Sequence, residues 1–149
     1  MDYDLMHTIN ILLVEDNPAD ARLVFEAMTE HRFHAGFHHV GDGMEAMAFL
    51  NRHAPYEEAP RPDLVLLDLN MPRMDGREVL AQIKSDPELA TIPVIILTTS
   101  DAETDVVRSY LNHANCFLTK PVDFDAFMRM IGLATDFWLT AVRLPKKGL

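Results

Sequence analysis

The chain has 149 residues, of which 48% are apolar, and its formal net charge at pH 7 is −10. This length fits one domain with a full hydrophobic core, and the excess of acidic residues disfavours nucleic acid, which selects basic surfaces. No apolar run approaches the roughly 20 residues of a membrane-spanning helix, and the acidic start lacks the basic segment of a signal peptide. The single cysteine excludes an intrachain disulfide and suits a reducing cytoplasm.

The first third of the chain predicts an alternation of strands and helices. Ile9–Val14 is an apolar run that ends in Glu15-Asp16, and Asn17-Pro18 then supplies a helix cap and a favourable first helical residue. We interpret Asp20 only as negative charge near that helix terminus. The elements that follow are a weaker strand, a helix and an acidic, proline-rich loop, over residues 33–40, 45–52 and 55–62.

The central strand is predicted at Leu64–Leu67, an unbroken apolar run that ends in Asp68. A proline precedes the run, and Pro72 and Gly76 follow it as turn signals. This pattern is typical of a strand buried on both faces of a parallel sheet. Ligands of open α/β sheets bind beyond the carboxyl ends of the strands, which makes Asp68 a candidate for chemistry.

The second half of the chain continues the alternation, with a helix expected from about residue 77 to 84. Val94–Leu97 predicts a third buried strand, followed by Thr98, and Asp101 can cap the next helix. Cys116–Leu118 predicts the last strand, after which come Thr119 and Lys120-Pro121. Five strands that alternate with five helices imply right-handed βαβ units, and thus an α/β fold with one parallel sheet between two helical layers.

The last helix is expected to run from about residue 123 to 142, past a domain core of residues 9–133, with a mobile tail over residues 143–149. Its apolar side chains cover more than half of its circumference, whereas one sheet face needs a stripe of about 100°. The helix would be about 30 Å long, against about 17 Å for a strand, so its end should overhang the sheet. Such an apolar overhang marks an interface and predicts a homodimer with contacts at Met130, Leu133, Phe137 and Trp138. The alternative is that Trp138 folds back on its own domain.

The residues at the ends of four strands are chemically complementary. Glu15, Asp16 and Asp68 are carboxylates that suit Mg2+, which prefers one or two carboxylates, waters and a phosphate oxygen. The Lys120 ammonium can neutralise a phosphoryl group, and the Thr98 hydroxyl can donate a hydrogen bond to one. If these strand ends share one edge of the sheet, Asp68 can act as a nucleophile that forms an aspartyl phosphate.

These motifs resemble the receiver domain of two-component response regulators. The resemblance covers roughly residues 9–133 and rests on Glu15-Asp16, Asp68-Leu69-Asn70-Met71-Pro72, Asp75-Gly76, Thr98 and Lys120-Pro121. It implies a flavodoxin-like (βα)5 fold, a doubly wound parallel sheet with strand order 2-1-3-4-5. It also implies that Asp68 accepts phosphate from the phosphohistidine of a sensor histidine kinase.

The resemblance further assigns a metal site and a partner for the phosphoryl group. Mg2+ is expected on Asp16, Asp68 and the backbone carbonyl of Asn70, with Glu15 reaching it through water. Lys120 is expected to pair with the phosphoryl group.

The same resemblance implies a switch. Thr98 moves to hydrogen-bond the phosphoryl group, Phe117 turns inward with it, and Lys120-Pro121 is expected to be a cis peptide bond. Thr99 departs from the commonest pattern, in which this residue is smaller. Its bulk is expected to slow the access of water or small phosphodonors to Asp68, which affects the lifetime of the phosphoryl group.

Short segments are similar to a subgroup of the family, the regulators paired with bacterial and cyanobacterial phytochromes. These segments are Asn17-Pro18-Ala19-Asp20, Leu97-Thr98-Thr99-Ser100 and the end from Phe137 to Val142, with Leu144-Pro145 beyond. We therefore expect a stand-alone cytoplasmic receiver that takes phosphate from such a kinase and signals to a partner protein or phosphorelay. We expect no enzymatic activity beyond self-catalysed phosphotransfer and autodephosphorylation, and too few residues follow Pro145 for an output domain.

Two other classes of protein stay open as alternatives. A haloacid-dehalogenase-like phosphatase also uses a strand-end aspartate with Mg2+. That class requires a second acid two residues after the nucleophile, where this chain has Asn70. A receiver-like binding module could signal without phosphate. Such a module would be expected to lack Asp68 or Lys120, and both residues are present here. The histidines and the cysteine, which are also residue types that bind metals, are not assigned to a metal site. We interpret His31, His34, His38 and His39 as surface or structural histidines and Cys116 as a small buried hydrophobic residue.

Overall fold

The computed structural model describes residues 8–29 and 35–145, where five strands alternate with five α-helices. The strands are β1 (Ile9–Val14), β2 (Ala35–Val40), β3 (Leu64–Leu67), β4 (Val94–Thr98) and β5 (Cys116–Thr119). The helices are α1 (Pro18–Thr29), α2 (Gly43–Leu50), α3 (Gly76–Ser85), α4 (Glu103–Leu111) and α5 (Phe124–Asp136), followed by a π-helical segment at Phe137–Ala141. His31, His34 and residues 146–149 of the predicted tail lie outside the described residues.

The strands form one parallel sheet in the order β2-β1-β3-β4-β5, which confirms the predicted fold. Val14 pairs with Leu67 at the ends of β1 and β3, and Leu67 pairs with Ile96 of β4. Thr98, the last residue of β4, pairs with Thr119, the last residue of β5. The residues that follow these four strands therefore leave the sheet at the same edge.

The sheet is covered on both faces, as its continuous apolar strands require. β3 and β4 are buried along their whole length. Alternate residues of β1 and β3 enter two separate core clusters, one beneath α2 and α3 and the other beneath α1 and α5. The first cluster includes Leu12, Val14, Val65, Leu67, Met47 and Leu80, and the second includes Ile11, Leu13, Leu64, Leu66, Val24 and Phe127.

Side-chain caps fix where most helices begin. The Asn17 side chain accepts hydrogen bonds from two backbone N–H groups of the first turn of α1, at 2.9 and 3.1 Å, as predicted. The prediction that Asp101 caps α4 is wrong, because the helix begins only at Glu103. The residue before it is Ala102, which has no side-chain cap.

The last helix differs from its prediction. The α-helix ends at Asp136, and the next five residues form a π-helical segment in which the Val142 N–H donates to the carbonyl oxygen of Phe137 at 3.0 Å. This i→i+5 pattern widens the turn and changes the direction of the side chains beyond Asp136. Trp138 is half-buried and packs against the core cluster beneath α1 and α5, which is the alternative considered for it, whereas Phe137 is 56% exposed.

Within the described residues, no helix has the length and apolar character to cross a membrane.

Candidate functional site

Polar residues from four strand ends meet at the carboxyl edge of the sheet. Glu15, Asp68, Thr98 and Lys120 are all buried there, although each has a polar or charged side chain. Asp16 is exposed beside them. Burial of so many polar groups is costly unless they are paired, so the contacts between them define what this site can do.

Lys120 is the centre of this cluster. Its Nζ donates to Glu15 Oε1 at 2.5 Å, to Asp20 Oδ2 at 3.0 Å and to Asp68 Oδ2 at 3.4 Å. The contact with Asp20 joins residues that are 100 positions apart in the sequence. Our interpretation of Asp20 as only a helix-terminal charge is therefore wrong, since it also holds the lysine.

The electrostatics of the cluster keep the lysine charged and make the charged form of Glu15 less favourable. Burial alone would lower the pKa of Lys120, but its hydrogen bonds to Glu15 and Asp20 and the charges of Glu15 and Asp68 outweigh burial and raise that pKa. Burial raises the pKa of the Glu15 carboxyl to about 7, against the opposing pull of Lys120. One ammonium thus contacts three carboxylates, those of Glu15, Asp20 and Asp68, and Asp16 lies beside Glu15 and Asp68 as a fourth carboxylate of the cluster.

The donor set fits a hard divalent cation. Glu15, Asp16 and Asp68 each offer a carboxylate oxygen, and these oxygens lie within 4.8 Å of one another. Mg2+ takes oxygen ligands from one or two carboxylates and keeps several waters, so this partly exposed triad suits it. Among the described residues, no histidine or cysteine belongs to this group, and His38 and His39 contact Asn10 Oδ1 and the carbonyl oxygen of Glu15 instead.

The loop after β3 is held close to the cluster. The Asn70 N–H donates to Asp68 Oδ1 at 3.2 Å, whereas Lys120 contacts the other oxygen of this carboxylate, Oδ2. Gly76, the first residue of α3, approaches the same aspartate so closely that a Cβ there would lie 2.0 Å from the Asp68 carbonyl oxygen. Arg73 donates to the carboxylate of Asp42, which ties the loop to the N-terminus of α2.

The candidate switch residues lie beside the cluster. Thr98 is fully buried, and its carbonyl oxygen accepts a hydrogen bond from the Lys120 N–H at 2.7 Å. Phe117 is half-buried and packs against the core cluster beneath α2 and α3. The loop after β4 is itself anchored, because the Ser100 hydroxyl donates to Asp105 at 2.6 Å.

The prediction of a cis bond between Lys120 and Pro121 is wrong for this structure. In the described part of the chain, the cis peptide bond is Ala54–Pro55. Trans is the lower-energy form of a bond before proline by about 0.5–1 kcal/mol. Lys120 contacts three carboxylates in this structure.

Fold and site together define a class of protein. A parallel sheet in the order 2-1-3-4-5, with an acidic triad and a buried lysine at its carboxyl edge, is the arrangement expected of a receiver domain. Residues 11–132 match the family described as the response regulator receiver domain, and the chain belongs to this family.

Individual members of the family are similar over nearly the whole chain. Response regulator Rcp1 of Synechocystis sp. is 50% identical over 135 residues, which cover 91% of this chain and 92% of Rcp1. The crystal structure of the phosphorylated cyanobacterial phytochrome response regulator RcpA matches with a TM-score of 0.91 and 47% identity, covering 94% of this chain and 100% of RcpA. The Mn2+-bound form of Rcp1 matches with a TM-score of 0.90 and 48% identity, covering 93% of this chain and 99% of that one.

Proposed function

We propose that Asp68 accepts a phosphoryl group from the phosphohistidine of a sensor histidine kinase. A carboxylate oxygen of Asp68 forms a bond to phosphorus while the phosphorus–nitrogen bond of the donor breaks and the imidazole nitrogen keeps the electron pair. The observation that carries this proposal is the position of Lys120, whose ammonium lies 3.4 Å from Asp68 within a buried group of carboxylates.

The surrounding residues divide the work of transfer. Asp16, Asp68 and the Asn70 carbonyl would hold Mg2+, with Glu15 acting through water, and the Mn2+-bound form of Rcp1 supports a divalent cation here. When bound, the cation offsets repulsion between the carboxylates and the phosphoryl oxygens. Lys120 neutralises charge on the transferred group, as a positively charged clamp does in other phosphoryl transfers.

The output of the reaction is a change of surface. The Thr98 hydroxyl, buried at the end of β4, would move to donate to a phosphoryl oxygen, and Phe117 would follow it inward on the neighbouring strand. A partner protein or phosphorelay would read the altered surface. The chain itself catalyses only its own phosphorylation and dephosphorylation in this proposal.

Phosphorylation by acetyl phosphate tests the proposed function. With Mg2+, intact-mass spectrometry should show a phosphorylated wild type and an unmodified Asp68→Asn variant, because only the carboxylate can form the acyl phosphate. Asp101→Asn, which removes an exposed aspartate outside the cluster, should remain phosphorylated, and a chelator should abolish the reaction. Equal phosphorylation of the wild type and Asp68→Asn would refute the proposal, as would sustained hydrolysis of small phosphate esters of the phosphatase type.

We propose a kinase of the phytochrome class as the phosphodonor, with the exchange taking place in the cytoplasm. The 47% identity to a chain described as a cyanobacterial phytochrome response regulator supports this choice. Phosphotransfer from a purified cyanobacterial phytochrome kinase should be faster than from a histidine kinase with an unrelated sensor. Equal or slower transfer from the phytochrome would contradict it.

We also propose that a second copy covers the outer face of α5 and the π-helical segment. Leu133 and Phe137 are 71% and 56% exposed on this face, with Met130 and Trp138 half-buried beside them. Leu133→Glu should convert a dimer to a monomer in light scattering, because a charge would be buried between the copies. Leu111→Glu is the matched control, since Leu111 is 70% exposed on α4, and an unchanged mass for Leu133→Glu would contradict the proposed interface.

A further inference from the structure

Asp20 is a fourth carboxylate at the site, outside the acidic triad. It lies in the first turn of α1, and its Oδ2 is 3.0 Å from Lys120 Nζ. Its side chain is 28% exposed, whereas that of Glu15 is 1% exposed. The contact therefore brings a partly hydrated carboxylate to a buried ammonium.

The ammonium of Lys120 has no spare hydrogen-bond donor. A lysine carries three N–H donors, and here they face Glu15 at 2.5 Å, Asp20 at 3.0 Å and Asp68 at 3.4 Å. A phosphoryl group on Asp68 brings new oxygens that need the same ammonium. Any strengthening of that contact must therefore weaken the hold of another carboxylate.

Burial decides which carboxylate can loosen its hold. Removing Lys120 from Glu15 would leave a buried carboxylate without its counter-charge, which is strongly unfavourable. Asp20 can exchange the same contact for water, because more than a quarter of its side chain is already exposed. The contact between Lys120 and Asp20 is therefore the one that can weaken when a phosphoryl group binds the ammonium.

Resting on the function proposed above, we propose that Asp20 is a positioning residue that holds Lys120 while Asp68 is free and competes with the phosphoryl group for the same ammonium. The negative charge of Asp20 has opposite effects on the two ligands of the site. It attracts a divalent cation. It repels any anion bound at Asp68, and it competes with that anion for the positive charge of Lys120. The phosphorylated form is therefore less stable than a site with three carboxylates would make it.

Two titrations of Asp20→Asn test this competition. The amide keeps the size and an acceptor oxygen for Lys120 but removes the charge. Calorimetry with Mg2+ alone should give binding about three- to tenfold weaker than wild type, as expected for losing one charge from a partly solvated site. Beryllofluoride, used as a phosphoryl mimic at saturating Mg2+, should bind about three- to tenfold more tightly.

The opposite signs separate positioning from a loss of structure, which would weaken both ligands together. Asp125→Asn, in the first turn of α5, is the matched control and should change neither affinity. Asp20→Glu should restore values nearer wild type, and Asp20→Ser is a second uncharged variant that should behave as Asp20→Asn does. The proposal is overturned if both affinities of the uncharged variants stay at wild-type values or move in the same direction.

The proposed function is checked in the same experiment by Asp68→Asn. If the wild type binds beryllofluoride no better than Asp68→Asn, the proposed phosphoryl site fails and the role of Asp20 fails with it. If the wild type binds and Asp20→Asn behaves as Asp125→Asn does, only the role of Asp20 is overturned.

Discussion

Replacing Lys120 by methionine should destabilise the fold in a way that Mg2+ partly reverses. The Lys120 side chain is 5% exposed and pairs with Glu15, which is 1% exposed. Removing one partner of a buried ion pair costs about 3–5 kcal/mol, because the other charge is left buried and uncompensated. Methionine keeps most of the aliphatic stem, so the cavity left behind contributes little.

Urea denaturation of the wild type and Lys120→Met, each in chelator and in saturating Mg2+, measures this cost. The full loss of about 3–5 kcal/mol is expected in chelator. It should shrink in Mg2+, because the cation binds the more negative variant more tightly, and each tenfold gain in affinity returns about 1.4 kcal/mol. Lys84→Met is the matched control, since Lys84 Nζ donates to the carbonyl oxygens of Ala90 and Ile92 rather than to carboxylates.

The control should lose stability equally with and without Mg2+. A loss for Lys120→Met below about 1 kcal/mol in chelator would mean that the lysine behaves as an exposed ion pair, against its burial. A loss that is the same in both conditions would show that Lys120 does not weaken the binding of a cation to these carboxylates. Either result would refute the electrostatic reasoning.

Two further predictions concern the loops around the site. Gly76→Ala should cost about 1–3 kcal/mol in urea denaturation, because its Cβ would lie 2.0 Å from the Asp68 carbonyl oxygen, whereas Gly41→Ala, whose nearest neighbour would be a side-chain oxygen at 3.8 Å, should be close to neutral. Equal costs for the two variants would contradict the close approach. Burial alone would raise the pKa of Asp42, but hydrogen bonds from a backbone N–H and from Arg73 hold it below its usual value. The stabilisation is therefore present above about pH 4 and lost as the pH falls below it, so the cost of Asp42→Asn should shrink on acidification, and a cost independent of pH would contradict this.

The strands were predictable because a few strong local signals agree. β3 and β4 are short apolar runs bounded by turn residues, and both are buried along their whole length. The residues that end these strands, Asp68 and Thr98, then identified the edge of the sheet where the site lies. Periodicity alone did not give the strand order, which came from the resemblance to a family and is confirmed by the observed topology.

Two features of the site and its surroundings could not be predicted from local patterns. The contact between Asp20 and Lys120 depends on how α1 and β5 meet in space, and the position of Asp20 near a helix N-terminus already has a sufficient local explanation. The π-helical segment after Asp136 also escaped prediction, because its residues continue the helical apolar pattern while the hydrogen bonds shift to i→i+5. In this arrangement Trp138 packs against its own core, although the amphipathic pattern had placed it in an interface.

Locating the phosphoryl group on the chain tests the central claim most directly. The wild type, phosphorylated with Mg2+ and then reduced with borohydride, should carry a homoserine in place of one aspartate, because reduction converts an acyl phosphate to an alcohol. Tandem mass spectrometry should place that homoserine at position 68. A homoserine at Asp16 or Asp20, or a stable phosphate on a histidine or serine, would contradict the account.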